Sequence, residues 1–298
     1  MDLWEKISAS IRARVFGWSK TRWPELPITK EDQRFSNLMK SRIGDRYRAE
    51  APVFGQCFKA VDEVDGTLVI LKVLPDKPDG RRLLSHEFDV CSDLSHKNII
   101  RYHDLLTVTG FTILVARLRD VSEFQSVAGP PPEVSLSRDP VGLGVFHQLQ
   151  IGLDYLHARG WVHAGLGRES VVIDPQGKVT ITNLMHCRKS GSGGTPAIDD
   201  HARLMHGSPE HLTGDLVPES DYFAVGILMF EYLLRRHPFW RNGLGRAFER
   251  IRSEGVDGYL VDPKLYNVDR AILGLLFSPK MVDRRCGWER LRALGARR

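Results

Sequence analysis

The sequence predicts an α+β protein in which a smaller strand-rich part precedes a larger helical part. Three observations carry that expectation. The segment RYRAEAPVFGQCFKAVDEVDGTLVILKVL, residues 46–74, reads as three strands joined by turns, with Asp65-Gly66 as a hairpin signal. The run from about Val141 to Arg159 is apolar over a helix-sized length and reads as a central helix of the larger part. A length of 298 residues leaves room for a domain of about 250 residues plus an extension.

Composition narrows the class. Hydrophobic residues at 42% and charged residues at 27% suit a globular chain in water. No run of eighteen or more uncharged apolar residues occurs, so no membrane-spanning helix is expected. The start, MDLWEKISAS, brings acidic residues early and lacks an apolar segment, so no secretory signal is expected there. Cys57, Cys91, Cys187 and Cys286 are far apart and have no histidine at ligand spacing. They are expected to be thiols in a reducing compartment, which points to the cytoplasm. Residues 1–48 hold 11 Lys/Arg and 6 Asp/Glu; the rest then holds 31 of each, since the totals are 42 and 37. The net charge of +5 therefore lies in residues 1–48.

Within the extension, residues 1–44, Leu3, Trp4, Ile7, Ile11, Val15 and Trp18 recur near a helical period, with Lys6, Arg12 and Arg14 among them. Such a basic amphipathic helix can dock on the domain or on a partner, which is the expectation. It can also lie on an acidic membrane surface. Its aromatic and basic residues form no nucleic-acid module, so no nucleic acid is expected as partner. The link TRWPELPITKED follows, then a second polar helical piece ending near Ile43.

The stretch most informative about chemistry is Trp161 to Ile173, WVHAGLGRESVVI, followed by the turn DPQGKV and the strand-like VTITNLM. With VILK, LSHKNII, GSPEHL, SDYFAVGILMFEYLL and VDRR, in that order, it resembles the protein kinase superfamily, nearest the Ser/Thr branch. The resemblance runs from Asp45 to the C-terminus. It implies a two-lobed protein-kinase-like fold with an N-terminal helical extension. Residues 45–118 would form a small antiparallel β-sheet lobe with one helix, and residues 119–298 a mainly helical lobe.

The resemblance also shows what has changed. Where the family has His-Arg-Asp, this chain has His163, Ala164 and Gly165; the frequent lysine two residues on is Gly167 and the Asn is Ser170. Asp-Phe-Gly reads Asn183, Leu184, Met185. In an active member the Asp receives the substrate hydroxyl proton, and the Asn and the second Asp hold magnesium. Gly165 has no side chain, and losing a general base costs about 10²- to 10⁴-fold. Asn183 and Ser170 are neutral oxygen ligands and weaker ones. Of the phosphate-covering glycines only Gly55 remains; the other two positions are Glu50 and Pro52, one acidic and one without an amide hydrogen.

Lys72 and Glu87 match the lysine and helix glutamate that the family pairs, read here as a structural ion pair and, with Asn183, as vestigial nucleotide contacts. Ile70 replaces the family's alanine against the adenine ring, an overpacking of about 1–3 kcal/mol. Ala116 falls at the gatekeeper position and Arg117 begins the hinge. Residues 128–138 read as a Pro-rich surface loop. His163, Leu184 and Cys91 match positions that pack as a buried column. The segment from Asn183 to Glu210 matches the activation segment, with SGSGGTP at 190–196 expected to be flexible and Ser190, Ser192 and Thr195 open to phosphorylation. Glu210 is expected to pair with Arg284, and Asp221 to brace the backbone of residues 163–165.

The resulting expectation is a scaffold retained without its reacting groups: not an enzyme but a pseudokinase, a protein-binding scaffold or allosteric regulator. No catalytic residue, metal or cofactor is expected, and the same losses weigh against ATP and magnesium. The partner would be another protein, met through the extension or the larger lobe. The alternatives are a kinase-fold enzyme with residual nucleotide binding and non-standard transfer chemistry, and a peripheral membrane adaptor using residues 1–20.

Overall fold

The computed structural model describes residues 30–54, 56–117, 122–123, 135–193, 206–239, 249 and 253–296. The amphipathic segment 3–18, Gly55 and Thr195 lie outside the described residues. The chain divides into one compact unit of residues 1–95 with 100–122, and a second of residues 96–99 with 123–298.

In the first unit six strands form an antiparallel sheet: β1 (Arg42–Ile43), β2 (Tyr47–Phe54), β3 (Cys57–Asp62), β4 (Leu68–Pro75), β5 (Tyr102–Val108) and β6 (Phe111–Ala116), in the order β1-β2-β3-β4-β6-β5. The Asp65-Gly66 turn joins β3 to β4, with Gly66 at φ 72° and the Thr67 amide donating to the Asp65 carboxylate at 2.9 Å. Strand β4 has Val69 to Leu74 buried, as expected where both faces of a sheet are covered.

Two helices among the described residues share that unit. Helix α1 (Lys30–Lys40) ends before the Gly44 turn rather than at Ile43, which instead pairs with Tyr47 as a strand residue. This piece is less polar in its packing than its sequence suggests. Leu38 is 1% exposed, and the Phe35 ring centre lies 5.1 Å from that of Phe58, tilted, and 5.6 Å from that of Phe111, edge-on. With Ile43, Tyr47, Leu71 and Val73 they form one apolar cluster. Helix α2 (Pro78–Ser92) opens on a proline, which suits a first helical position that has no amide partner. Its Leu84, Glu87 and Cys91, spaced three and four apart, form one buried stripe, and the helix packs on β4, β5 and β6.

The second unit is built on α3 (Pro140–Ala158) and α4 (Pro218–Leu234), followed by α5 (Asn267–Leu276) and α6 (Met281–Gly295). Asp139 caps α3, its carboxylate accepting from the Val141 amide at 3.1 Å. Helix α4 is buried from Glu219 through Tyr232 save Tyr222, and its middle, residues 223–230, is wholly apolar where the other helices pack around it. Ser135 and Leu136 of the Pro-rich stretch are buried at the start of a short 3₁₀ turn, while Arg138 at its end is exposed. Four short strands frame the loop of interest: β7 (Trp161–Val162), β8 (Val171–Ile173), β9 (Val179–Ile181) and β10 (Arg188–Lys189). β8 pairs with β9 and β7 with β10, both antiparallel. Among the described residues no helix is long and apolar enough to cross a membrane.

Candidate functional site

In the first unit, Lys72 on β4 faces Glu87 on α2, Nζ to Oε2 at 2.5 Å, with the two side chains 6% and 0% exposed. The Tyr102 hydroxyl donates to the other oxygen, Oε1, at 2.9 Å. Glu87 is thus held from β4 and from β5 at once. A buried carboxylate needs such partners, since leaving one unpaired costs several kcal/mol. Burial, and then the charge of Glu87, push the Tyr102 phenol well above its ordinary range; the same two causes raise the Cys91 thiol, against the opposing pull of Lys72. Ile70 is 3% exposed and lies in register with Lys59 on β3 and Ala116 on β6. Glu50 is exposed, and Pro52 sits in β2 opposite Phe58, beside a register shift of that strand.

In the second unit Asp221, at the start of α4, organises the loop. Its Oδ2 accepts from the His163 amide at 2.8 Å and from His157 Nε2 at 2.8 Å, and its Oδ1 accepts from the Ala164 amide at 3.1 Å. Burial pushes this carboxyl up, but the His157 hydrogen bond and the neighbouring histidine charges outweigh it and hold Asp221 below its usual range. Ala164 adopts φ 60°, a left-handed conformation that costs a residue with a Cβ of order 1–3 kcal/mol. Hydrogen bonds fix it there from both sides, because its carbonyl also accepts from His211 Nε2 at 3.1 Å. Asn183 is left-handed too, at φ 65°, which asparagine tolerates better than most residues.

His163 is fully buried and its Nε2 donates to the Thr182 carbonyl at 2.9 Å. Leu184 is buried in the same unit, and Cys91 in the first. Ser170 is 1% exposed and its hydroxyl donates to the Gly165 carbonyl at 3.0 Å. Arg284 grips Glu210 with two parallel bonds, 2.8 and 3.1 Å, and donates its Nε to the Ser278 carbonyl at 2.7 Å. Burial raises Glu210, but Arg284 overcomes it and keeps the carboxyl low. Ser190 and Ser192 are exposed; the Ser190 amide donates to the Gly160 carbonyl, and the Ser192 hydroxyl to the Lys189 carbonyl at 2.7 Å.

Several residues here were not singled out by the sequence. His211 braces Ala164, Tyr102 shares Glu87, and His206 and Arg168 both bind Glu231 of α4. Burial raises Glu231, yet the His206 charge and the hydrogen bonds from Arg168 and His206 bring it down to about 2. Tyr102 and His206 lie outside the motifs read above, and His211 and Arg168 lie within GSPEHL and WVHAGLGRESVVI at positions for which no role was read.

Magnesium, which this fold family uses with a nucleotide, does not fit the donors present. Asn183 offers a neutral amide and Ser170 a hydroxyl already committed to the Gly165 carbonyl, where a hard dication favours carboxylates. No group of three or more metal-ligating side chains occurs among the described residues.

The protein kinase domain model matches residues 53–276, more than half of the chain. The chain therefore belongs to the protein kinase family. It is similar to the serine/threonine-protein kinase GIN4 of Saccharomyces cerevisiae, 26% identical over 59% of this chain and 15% of that protein. It is also similar to CBL-interacting protein kinase 30 of Oryza sativa subsp. japonica, 23% identical over 78% of this chain and 49% of the relative. The inactive serine/threonine-protein kinase PLK5 of Mus musculus is 26% identical over 78% of this chain and 39% of its own length. The chain spans less than half the length of each of these relatives.

These matches correct the expectation, drawn from Gly165 and Asn183, that the chain is no enzyme. The family it belongs to is one of kinases, and relatives such as GIN4 carry that name. The physical reason is that a missing side chain tells only what its own position cannot do, while the ion pair of Lys72 with Glu87 remains assembled.

Proposed function

We propose that this kinase-family domain serves as a protein-binding scaffold or allosteric regulator, acting in the cytoplasm on another protein. One observation carries the reading. The contacts that hold the loop and its surroundings, Asp221 to residues 163–164 and Arg284 to Glu210, are complete. Positions 165, 167 and 183 in contrast offer neither carboxylate nor ammonium. A domain so arranged presents stable surfaces, and the basic amphipathic segment or the helical unit is the proposed contact. Nucleic acid is not part of the proposal, and a membrane surface is the less favoured partner. Cys57, Cys91, Cys187 and Cys286 form no disulfide, in keeping with a reducing compartment.

A second reading, residual nucleotide binding with non-standard group transfer, is favoured by the Lys72–Glu87 pair, which keeps an ammonium fixed on β4.

A thermal-shift panel on the full chain, with ATP alone and with Mg²⁺ or Mn²⁺, separates the two. A nucleotide at 100 times its Kd stabilises by about 2.7 kcal/mol, which raises Tm by roughly 5–10 °C for a domain of this size. No response supports the binding role. A metal-dependent rise supports the second reading and would overturn the first.

A further inference from the structure

Two glycines of the catalytic loop stand where the family carries an aspartate and, frequently, a lysine, and neither position requires glycine for its backbone. Gly167 has φ −163° and ψ −172°, extended geometry that any residue adopts, and Gly165 is not among the residues with positive φ. What both positions lack is room. A Cβ on Gly165 would lie 3.0 Å from Cδ2 and 3.2 Å from Cβ of His186. A Cβ on Gly167 would lie 3.0 Å from Nδ1 and 3.3 Å from Cγ of His206. The two histidines belong to opposite ends of the activation segment, His186 just after Asn183 and His206 just before Ser208. His206 is anchored on its far side as well: its Nε2 donates to Glu231 at 2.9 Å, and Arg168, next to Gly167, binds the same carboxylate.

We propose that His186 and His206 latch the two ends of the activation segment onto the catalytic loop by seating their imidazoles in the spaces left by Gly165 and Gly167. The latch replaces two loop side chains with two segment side chains, so the ends of the segment are held without any modification of the segment. It follows that returning a family residue to 165 or 167 displaces a histidine and loosens the segment. The latch does not depend on whether this chain transfers phosphate.

The test is amide hydrogen exchange on the full chain, read at residues 184–189 and 206–212, with valine placed at 165 or 167. Gly167→Val should speed exchange at 206–212 by about tenfold or more, and Gly165→Val should do the same at 184–189. In chains that also carry His206→Ala or His186→Ala, the matching valine should change exchange by less than about threefold, because the seat is already empty. A valine chain that folds only with its partner histidine removed supports the latch in the same way. Unchanged exchange on adding valine would overturn it. So would an equal increase with and without the histidine, or a valine that prevents folding in both backgrounds.

Discussion

The Tyr102 hydroxyl donates to Oε1 of Glu87 at 2.9 Å, while Lys72 holds Oε2 of the same carboxylate. Glu87 is fully buried, so α2 is tied to β4 and β5 through a single charge with both oxygens occupied. Tyr102→Phe keeps the ring and deletes only that donor. A hydrogen bond to a charged group contributes about 1.5–3 kcal/mol, and urea unfolding should show a loss of that size. Glu87→Gln should make the same Tyr102→Phe change much cheaper, since the charge is gone. Equal costs in the two backgrounds would mean that the pair is not coupled.

Asp221 accepts from two successive backbone amides and from His157. Asp221→Asn places an amide group where only an acceptor serves. The expected loss is about 3–5 kcal/mol, that of breaking a buried charged contact. The His163 and Ala164 amides should exchange faster as well. Unaltered exchange at those two amides would show that the loop is held by other means.

Arg284 is 0% exposed and meets Glu210 with a two-pronged contact. Lysine keeps the charge but cannot make both bonds. Arg284→Ala should cost about 3–5 kcal/mol by stranding Glu210, and Arg284→Lys should fall between alanine and the natural chain. A lysine variant as stable as the parent would show that charge alone suffices.

Glu231, Glu210 and Asp221 are all held below the ordinary carboxylate range. In the unfolded chain they take up protons near pH 4, while folded they stay ionised. Their contribution is therefore complete above roughly pH 5 and drains away as acid is added. For Glu231, brought from 4.5 to about 2, it amounts to roughly 3 kcal/mol. Glu231→Gln should accordingly flatten the fall of unfolding free energy between pH 5 and pH 2. A variant with the parent's acid profile would contradict the charged network around His206.

The family's motifs made the two-part architecture, α2 and α3, and the strands β2 to β4 readable in advance, because each combines a strong period with flanking turn residues. Helix α1 was harder: its sequence is polar overall, and only the tertiary placement of Phe35 and Leu38 reveals an apolar side. Ile43 was assigned to a helix because a two-residue strand has no period of its own. At the site, Lys72, Glu87, Asp221, Glu210 and Arg284 could be named from motif positions. Tyr102, His186, His206 and His211 could not, since no motif position read above carries a role for them. Gly165 and Gly167 show the limit most clearly. The sequence reports that a side chain is missing, and only the structure tells what fills the space.

Helix α1 has a practical consequence for anyone trimming the chain. It covers Phe58 and Phe111 on one side of the sheet. A recombinant fragment beginning at Tyr47 would lay those rings bare to water, and exposed apolar patches of that kind drive aggregation. Poor solubility of such a fragment would then reflect the cut rather than any instability native to the kinase-like domain.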